Sequence, residues 1–389
     1  MSGVASDQAD QLLGAIDAHP HARAVLLPAL PPAGTPSHAY LFHGPAGTGK
    51  RTAARAFAAA LLADGARDPA TVLERVARGV HPDLTWVTPS GASEVLVSDI
   101  DEPVVAAATR TPFESTRRVF VIEAAGTMND QAANRMLKTL EEPPPFAHLI
   151  LLAEHREDVL ATIASRCQQV RFDPLSSERV EQRIRMSGGD AVEPLRAGAC
   201  ARLAAGDARL AERLASEEGV SLRACAEGFV RSAIDPPSRG AGGRNGERRW
   251  MELLAAAKTA GANAGASATE RLRQEAEMLP SRERRKHERE GAEEVRRSER
   301  RARTATLDLG LRLAELWLRD MWCLAAGAAE LVFAVDRRSE LASDAEGHDA
   351  AALLRGVELV RDTRLRLPLN VSEELALEAL AYRLEDLLS

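Results

Sequence analysis

The chain has 389 residues, a formal net charge of −7, 45% hydrophobic residues and only 4% aromatic residues. This length exceeds one ordinary hydrophobic core, so we expect two or three domains. Many aliphatic and few aromatic side chains favour helices that pack through small residues. The negative net charge argues against a globally basic nucleic-acid-binding protein.

The cysteines are scattered and form neither a Cys-x-x-Cys pair nor a pattern with histidine at metal-ligand spacing: Cys167, Cys200, Cys225 and Cys323. This pattern predicts reduced, structural cysteines and indicates neither a zinc site nor a disulfide framework. The sequence contains no charged start followed by an apolar run and no stretch of about 18 apolar residues. We therefore expect a cytoplasmic protein with no membrane partner.

Three apolar runs alternate with helical patterns in the first part of the chain. "AYLFHG" (39–44) precedes a glycine-rich loop and a run of strong helix formers, and "RRVFVIEAA" (117–125) and "HLILLAE" (148–154) are continuous apolar runs. Such runs are typical of strands buried on both faces of a parallel sheet. An amphipathic pattern between the last two runs ends at Pro143–Pro145. Residues 1–173 are therefore predicted to form a doubly wound α/β domain.

The rest of the chain has helical patterns without apolar strand runs. Residues 174–234 are predicted to form a small helical domain punctuated by "SGGD" and "AAGD". The Pro/Gly-rich stretch Asp235–Gly246 indicates a linker, so residues 235–389 form a third segment of long helices. Near its end, Asn370 and Glu373 have the spacing of a helix capping box.

The stretch "GPAGTGK" has the spacing of a phosphate-binding loop at the start of a helix. Its glycines allow backbone amides to converge on phosphate oxygens, and Lys50 adds a positive charge for the outer phosphates; the glycines are Gly44, Gly47 and Gly49. A glycine-rich turn with no role in nucleotide binding is the alternative interpretation.

The residues that would hold a metal ion are missing from this pattern. Arg51 stands where such loops place a serine or threonine for Mg²⁺, and Thr52 is one residue too late, about 100° around the helix. A hydrolase of this type also ends its second strand in acidic residues, whereas here only Glu123 is present before two alanines. The sequence therefore predicts nucleotide binding without efficient hydrolysis.

The order of "HAYLFHGPAGTGK", "VFVIEAAGTMNDQAANRMLKTLEEPPP" and "TIASRCQQVRF" resembles the clamp-loader branch of the AAA+ ATPases, above all the delta-prime subunits of bacterial DNA polymerase III. The resemblance runs from about residue 38 to 172 and extends more weakly to "ARLAAGDARLAERLA" and "LRLPLNVSEELALEAL". It implies an AAA+ nucleotide-binding domain (1–173), a helical lid (174–234) and an all-helical collar that follows the linker and charged segment (235–389).

In this family the arginine of "SRC" reaches into the ATP site of the neighbouring motor subunit. The resemblance therefore implies that Arg166, between Ser165 and Cys167, is an arginine finger that acts in trans. A guanidinium in that position stabilises the charge that develops on the transferred phosphoryl group. An ordinary surface arginine at a helix end is the alternative.

Two features differ from the family's active members. No cysteine lies between Lys50 and His81, so the four-cysteine zinc module of close relatives is absent and these residues are expected to form a helical hairpin without metal. The strand end at "LLAEHRED" lacks the threonine or asparagine that senses the terminal phosphate. Arg209, in "AGDARLA", matches the lid's nucleotide-sensing arginine, with an exposed helix charge as the alternative.

Residues 282–303 contain ten basic and six acidic residues in a chain that is acidic overall. Mixed charges at this spacing favour a solvated helix or a disordered arm, and a surface that follows the DNA phosphates is the alternative. Aromatic residues are absent here, so base stacking is not expected.

Two functions from different classes remain. The first is a clamp-loader scaffold subunit that helps to load the sliding clamp onto primed DNA, has little or no ATPase turnover, and donates Arg166 to a motor subunit. The second is an AAA+ motor subunit with its own turnover. The expected partners are gamma/tau-like and delta-like subunits, the sliding clamp and primed DNA; the expected cofactor is ATP or ADP without efficient hydrolysis, with no zinc.

Overall fold

A computed structural model describes residues 14–31, 34–89, 94–188, 192–234, 249–277, 281–367 and 372–388, without side chains at 188, 275, 277 and 281–290. The chain divides into two compact units. The first unit comprises residues 1–176 and 206–208, and the second comprises 177–205 and 209–389. The predicted linker (235–246) and Asn370 of the predicted capping box lie outside the described residues.

The first unit is built on a five-stranded parallel sheet in the order β2-β3-β4-β1-β5. The strands are β1 (Ala39–His43), β2 (Leu84–Val87), β3 (Arg118–Ile122), β4 (Ala147–Ala153) and β5 (Gln168–Arg171). Because β1, β4 and β3 are neighbouring parallel strands, the loops that follow them emerge side by side at one edge of the sheet, formed by the carboxyl ends of the strands. That edge is where ligands bind in open α/β sheets.

Helices cover both faces of this sheet. They are α1 (Pro20–Leu26), α2 (Lys50–Ala63), α3 (Pro69–Arg78), α4 (Val97–Ile100), α5 (Asp130–Glu141) and α6 (Ala161–Ala164). Alternate residues of β1 point to opposite faces, so Tyr40 and Phe42 pack against Phe57 of α2 while Leu41 packs with α5 and α6. The described first unit therefore confirms the predicted doubly wound α/β fold.

Local sequence signals set the helix ends. Asn129 caps α5 by accepting a hydrogen bond from the Ala132 amide (2.9 Å), and the helix ends at Glu141, just before the three prolines. Asp68 caps α3 by accepting from the Thr71 amide, and Gly79 ends that helix in the left-handed conformation. The stretch between Lys50 and His81 thus contains a helix, α3, that packs on α2 and is capped by Asp68 at its start and by Gly79 at its end.

The second unit consists of helices. In chain order they are α7 (Ser177–Gly188), α8 (Pro194–Leu203), α9 (Ala208–Ala215, whose first residue belongs to the first unit), α10 (Glu217–Ile234), α11 (Trp250–Glu277), α12 (Ser281–Ala325), α13 (Arg338–Ala345), α14 (Ala350–Arg366) and α15 (Glu373–Leu388). The long helix α12 packs against α10, α11 and α14. The predicted helical segments on either side of the linker contribute to this one unit, and the proposed three-domain division stays a prediction.

Buried charges join α10 to the segment before α13. Arg223 is 6% exposed and donates two hydrogen bonds to the Asp336 carboxylate, at 2.8 and 2.9 Å. It also lies 3.0 Å from Glu227, which is 2% exposed. Because removing one partner of a buried pair leaves an uncompensated charge, these groups constrain which helix faces can meet.

The charged segment 282–303 is helical, as part of α12. Within its described side chains, Arg297 pairs with Glu293 one turn earlier, and Arg271 of α11 pairs with Glu294. Close approach of α11 and α12 depends on small residues, since a Cβ at Gly265 would lie 2.3 Å from Glu299 Oε1. At least two described arginines, one in α12 and one in α11, are thus paired with glutamates of α12.

Asp83, at the end of "HPD" before β2, ties two loops of the first unit together. Asp83 is 1% exposed. Its carboxylate accepts three backbone hydrogen bonds, from the amides of Phe113 (2.7 Å), Glu114 (3.0 Å) and Ser115 (2.9 Å). Hydrogen bonds to a buried carboxylate are among the stronger kinds in proteins. Asp83 therefore fixes the loop that leads into β3.

We expect Asp83→Asn to lower the free energy of unfolding by about 3 kcal/mol, because an amide nitrogen would face backbone donors and the carboxylate bonds would be lost. Urea denaturation of the full chain measures this change. Asp101→Asn, at an exposed carboxylate 3.5 Å from Arg135, is the matched control and should change stability by less than about 0.5 kcal/mol. Equal stabilities of the two variants would contradict this role for Asp83.

Candidate functional site

The glycine loop, residues 44–49, joins β1 to α2 and needs glycine at several positions. Gly44, Gly47 and Gly49 all have positive φ, at +146°, +68° and +93°. A Cβ at Gly47 would lie 1.7 Å from Oδ1 of Asp207, so the Asp207 carboxylate packs directly against the loop. The glycines therefore permit both the turn and the close approach of an acidic side chain.

Lys50 is the first residue of α2 and is 9% exposed. Its ammonium group donates to the backbone carbonyls of Gly44 and Pro45. Burial lowers the pKa of Lys50, while the nearby carboxylates of Glu154 and Asp207 oppose that shift. The lysine charge is thus directed into the loop and balanced by two acidic residues.

Arg51, the next residue, forms an ion pair with the acidic residue that follows β3. Its guanidinium lies 2.8 Å from Oε1 of Glu123, and the Glu123 side chain is 16% exposed. Trp86 of β2 donates its indole N–H to the same carboxylate oxygen, and Arg55 of α2 lies over the Trp86 ring, 4.8 Å from its centroid. The Glu123 carboxylate therefore already has two donors from this chain.

The chemistry of these residues fits an anion better than a metal ion. The loop amides at the start of α2 and the buried Lys50 suit phosphate oxygens. A magnesium ion needs oxygen ligands, and Arg51 has no lone pair to offer while it also engages Glu123. After Glu123 the chain continues with Ala124, in the left-handed conformation (φ 51°), and the buried Ala125. Neither Arg51 nor the two alanines after Glu123 offers a side-chain oxygen to Mg²⁺.

Among the described residues, no group of three or more His, Cys, Asp or Glu side chains is placed to hold a metal ion.

Arg166 lies just after α6, and its side chain is 37% exposed. The guanidinium donates to the carbonyl oxygen of Thr162 (2.8 Å) and to Oε1 of Glu141 (2.7 Å). Glu141 is the last residue of α5. The arginine is therefore accessible on the surface of the first unit and held by two acceptors.

The residues on either side of Arg166 stabilise the turn. Ser165 donates its hydroxyl to the Thr162 carbonyl (3.2 Å). Cys167 is buried in the core against α5 and α6, and burial raises the pKa of its thiol to about 12. A thiol with that pKa is protonated at neutral pH, so Cys167 anchors the turn by packing.

The first unit brings together some of the predicted site residues. The glycine loop, Lys50, Arg51 and Glu123 meet in the first unit, and Thr52 is exposed on α2. Arg209 is exposed and belongs to the second unit. Arg166 pairs with Glu141 of α5, whereas Arg51 pairs with Glu123.

Sequence reasoning missed three side chains that shape the site. Asp207 lies two residues before the predicted Arg209, so its position in "AAGD" was a usable signal. Trp86 and Glu141 are distant in sequence from Glu123 and Arg166, respectively. Nothing in the local sequence pattern pairs them, because their contacts depend on the sheet order and on the packing of α5.

Comparison with known proteins finds relatives for part of this chain. Residues 26–176 match the family model described as "DNA polymerase III, delta subunit". The delta-prime subunit of Bacillus subtilis DNA polymerase III is 36% identical over 154 residues, which cover 38% of this chain and 46% of that protein. The delta-prime subunit of Pseudomonas aeruginosa is 38% identical over 138 residues, or 34% of this chain and 42% of that protein. Residues 26–176 are delta-prime-like.

The predicted resemblance to delta-prime subunits is thus confirmed over these residues. The tau subunit of Bacillus subtilis is also similar, with 32% identity over 154 residues, covering 38% of this chain and 27% of that protein. The delta-prime-like region is therefore similar to several subunits of bacterial DNA polymerase III. The chain spans less than half the length of each of these relatives.

Among solved structures, a gamma-subunit-related DNA polymerase III protein of Thermotoga maritima aligns over 91% of this chain and 95% of that chain, with a TM-score of 0.44 and 16% identity. Within the part of the chain that the structure describes, no helix combines the length and apolar character needed to span a bilayer.

Proposed function

We propose that this chain is a delta-prime-like scaffold subunit of a clamp loader, with little or no ATPase turnover of its own. The observation that carries the proposal is the ion pair between Arg51 and Glu123. It joins the residue in the place of a metal-binding hydroxyl to the acidic residue that would position magnesium or water. The hydroxyl that a metal would need is therefore absent, and the acidic residue is engaged by Arg51 instead.

The glycine loop and Lys50 retain the features that bind phosphate. We propose that ATP or ADP binds here without efficient hydrolysis. Asp207 packs against Gly47 and places a negative charge at the loop. An anionic ligand would therefore meet repulsion here that a loop without this aspartate would not present.

We further propose that Arg166 acts in trans on the ATP site of a neighbouring motor subunit. Its guanidinium is exposed, lies on a turn anchored by the buried Cys167, and can form paired hydrogen bonds with phosphate oxygens. Such a residue needs no intact site in its own chain. The proposed partners are gamma/tau-like and delta-like subunits, the sliding clamp and primed DNA, with a role in DNA replication.

A motor subunit with its own turnover is the second candidate, favoured by the similarity to tau and by the intact half of the glycine loop. The two candidates differ in whether the isolated chain hydrolyses ATP. They also differ in what the loss of Lys50 would do.

We expect the isolated full chain to release no phosphate from ATP above background, because Arg51 offers no oxygen ligand to the metal and its guanidinium is paired with the Glu123 carboxylate. A phosphate-release assay with magnesium, the sliding clamp and primed DNA measures this. Lys50→Ala should leave the background rate unchanged, as should Lys138→Ala at an exposed lysine of α5. Turnover that Lys50→Ala abolishes and Lys138→Ala preserves would establish the motor subunit instead.

Arg166→Ala should lower DNA-stimulated ATP hydrolysis in a reconstituted loader whose only hydrolysing subunit is the neighbour of this chain. The loss of a trans-acting guanidinium costs about 10³ to 10⁵ in rate at the site it serves in other nucleotide hydrolases. Arg166→Lys should recover only part of the rate, because an ammonium group lacks the planar fork. Arg171→Ala, at an exposed arginine 3.0 Å from Asp173, is the matched control. Wild-type hydrolysis by Arg166→Ala in a complete assembly would exclude the finger role.

A further inference from the structure

The turn that carries Arg166 is fixed by its neighbours. The amide of Arg166 donates to the carbonyl of Ile163 (3.0 Å), and the buried side chains of Ile163 and Cys167 pack into the core beneath the sheet. Gln169 donates its side-chain amide to the carbonyl of Ala164 (2.6 Å). The backbone of Arg166 is therefore fixed by these contacts, and only the orientation of its long side chain can vary.

Two acceptors restrict that freedom. One guanidinium nitrogen donates to the carbonyl of Thr162 in α6, and the other donates to the Glu141 carboxylate at the end of α5. The two helices pack on the same core, through Leu140 on one side and Ile163 on the other. Both acceptors are thus positioned by one packed core, and the guanidinium that bridges them is oriented by two contacts.

We propose that Glu141 is the positioning residue for Arg166: its carboxylate preselects the side-chain orientation in which the guanidinium faces outward for a phosphate of the neighbouring subunit. This inference rests on the proposed trans-acting role of Arg166. An arginine side chain loses considerable rotamer entropy when it is ordered, and a prior contact reduces that loss at the moment of catalysis.

The strength of the contact decides between positioning and inhibition. Both side chains are partly exposed, at 37% for Arg166 and 48% for Glu141, and exposed ion pairs are weak. Such a pair is too weak to prevent the guanidinium from binding a phosphate group, which carries a larger negative charge than a carboxylate. It is strong enough to favour one orientation several-fold.

The test uses the reconstituted loader whose only hydrolysing subunit is the neighbour of this chain. Glu141→Ala should lower kcat for DNA-stimulated hydrolysis by about two- to fivefold, the range expected from a weak exposed pair. KM for ATP, assembly and melting temperature should not change. Glu141→Gln keeps one acceptor oxygen and should recover part of the loss. Glu142→Ala, at the adjacent exposed glutamate, is the matched control and should match the wild type.

A double-mutant cycle separates positioning from a structural role. In the Arg166→Ala background, Glu141→Ala should have no further effect, because there is no guanidinium left to orient. A loss that persists in that background, a wild-type kcat for Glu141→Ala, or a raised kcat would each overturn the inference. If Arg166→Ala lowers hydrolysis but Glu141→Ala does not, only this inference fails. If Arg166→Ala has no effect, the proposed function fails with it.

Discussion

The ion pair between Arg51 and Glu123 limits metal binding at the edge of the parallel sheet formed by the carboxyl ends of β1 and β3. The two residues belong to elements on either side of β4, and they meet because the strand order brings the ends of β1 and β3 to one edge. A guanidinium there supplies positive charge as a metal ion would, but it has no vacant coordination position and cannot activate water. The same fold that positions a metal in a hydrolase here positions a side chain of this chain.

Two arginines thus have different surroundings within one unit. Arg51 faces a largely buried carboxylate, whereas Arg166 faces an exposed glutamate and a backbone carbonyl. An arginine that is already paired with a mostly buried acid is held in its own chain. One held by weak exposed contacts can exchange them for a phosphate group. The proposed division of roles follows from the burial of the partner carboxylates, because the side chains of Arg51 and Arg166 carry the same charge and are both partly exposed, at 48% and 37%.

The sequence predicted the parts of the fold that have strong local patterns. The apolar runs of β1, β3 and β4 are buried on both faces, and α5 has both a capping residue and a proline stop. The strands β2 and β5 lie at the edges of the sheet and carry partly exposed or polar side chains, so they show no apolar run. The glycine loop was recognisable because each glycine has a conformational reason that few other residues satisfy.

The pairings within the site were not predictable in the same way. Arg51 opposite Glu123, Arg166 opposite Glu141 and Asp207 against Gly47 each join segments far apart in sequence. Such contacts depend on strand order and helix packing, which local periodicity does not encode. In the second unit, likewise, helical patterns were visible, but the buried pairing of Arg223 with Asp336 was not.

Isothermal titration of the full chain with ADP, in the presence and in the absence of magnesium, tests the central claim most directly. Because Arg51 engages Glu123 in the place of a metal ion, magnesium should leave the affinity for ADP unchanged or weaken it by binding the free nucleotide. Binding that magnesium tightens severalfold would show that the ion pair gives way to a metal, and would contradict this account of the site.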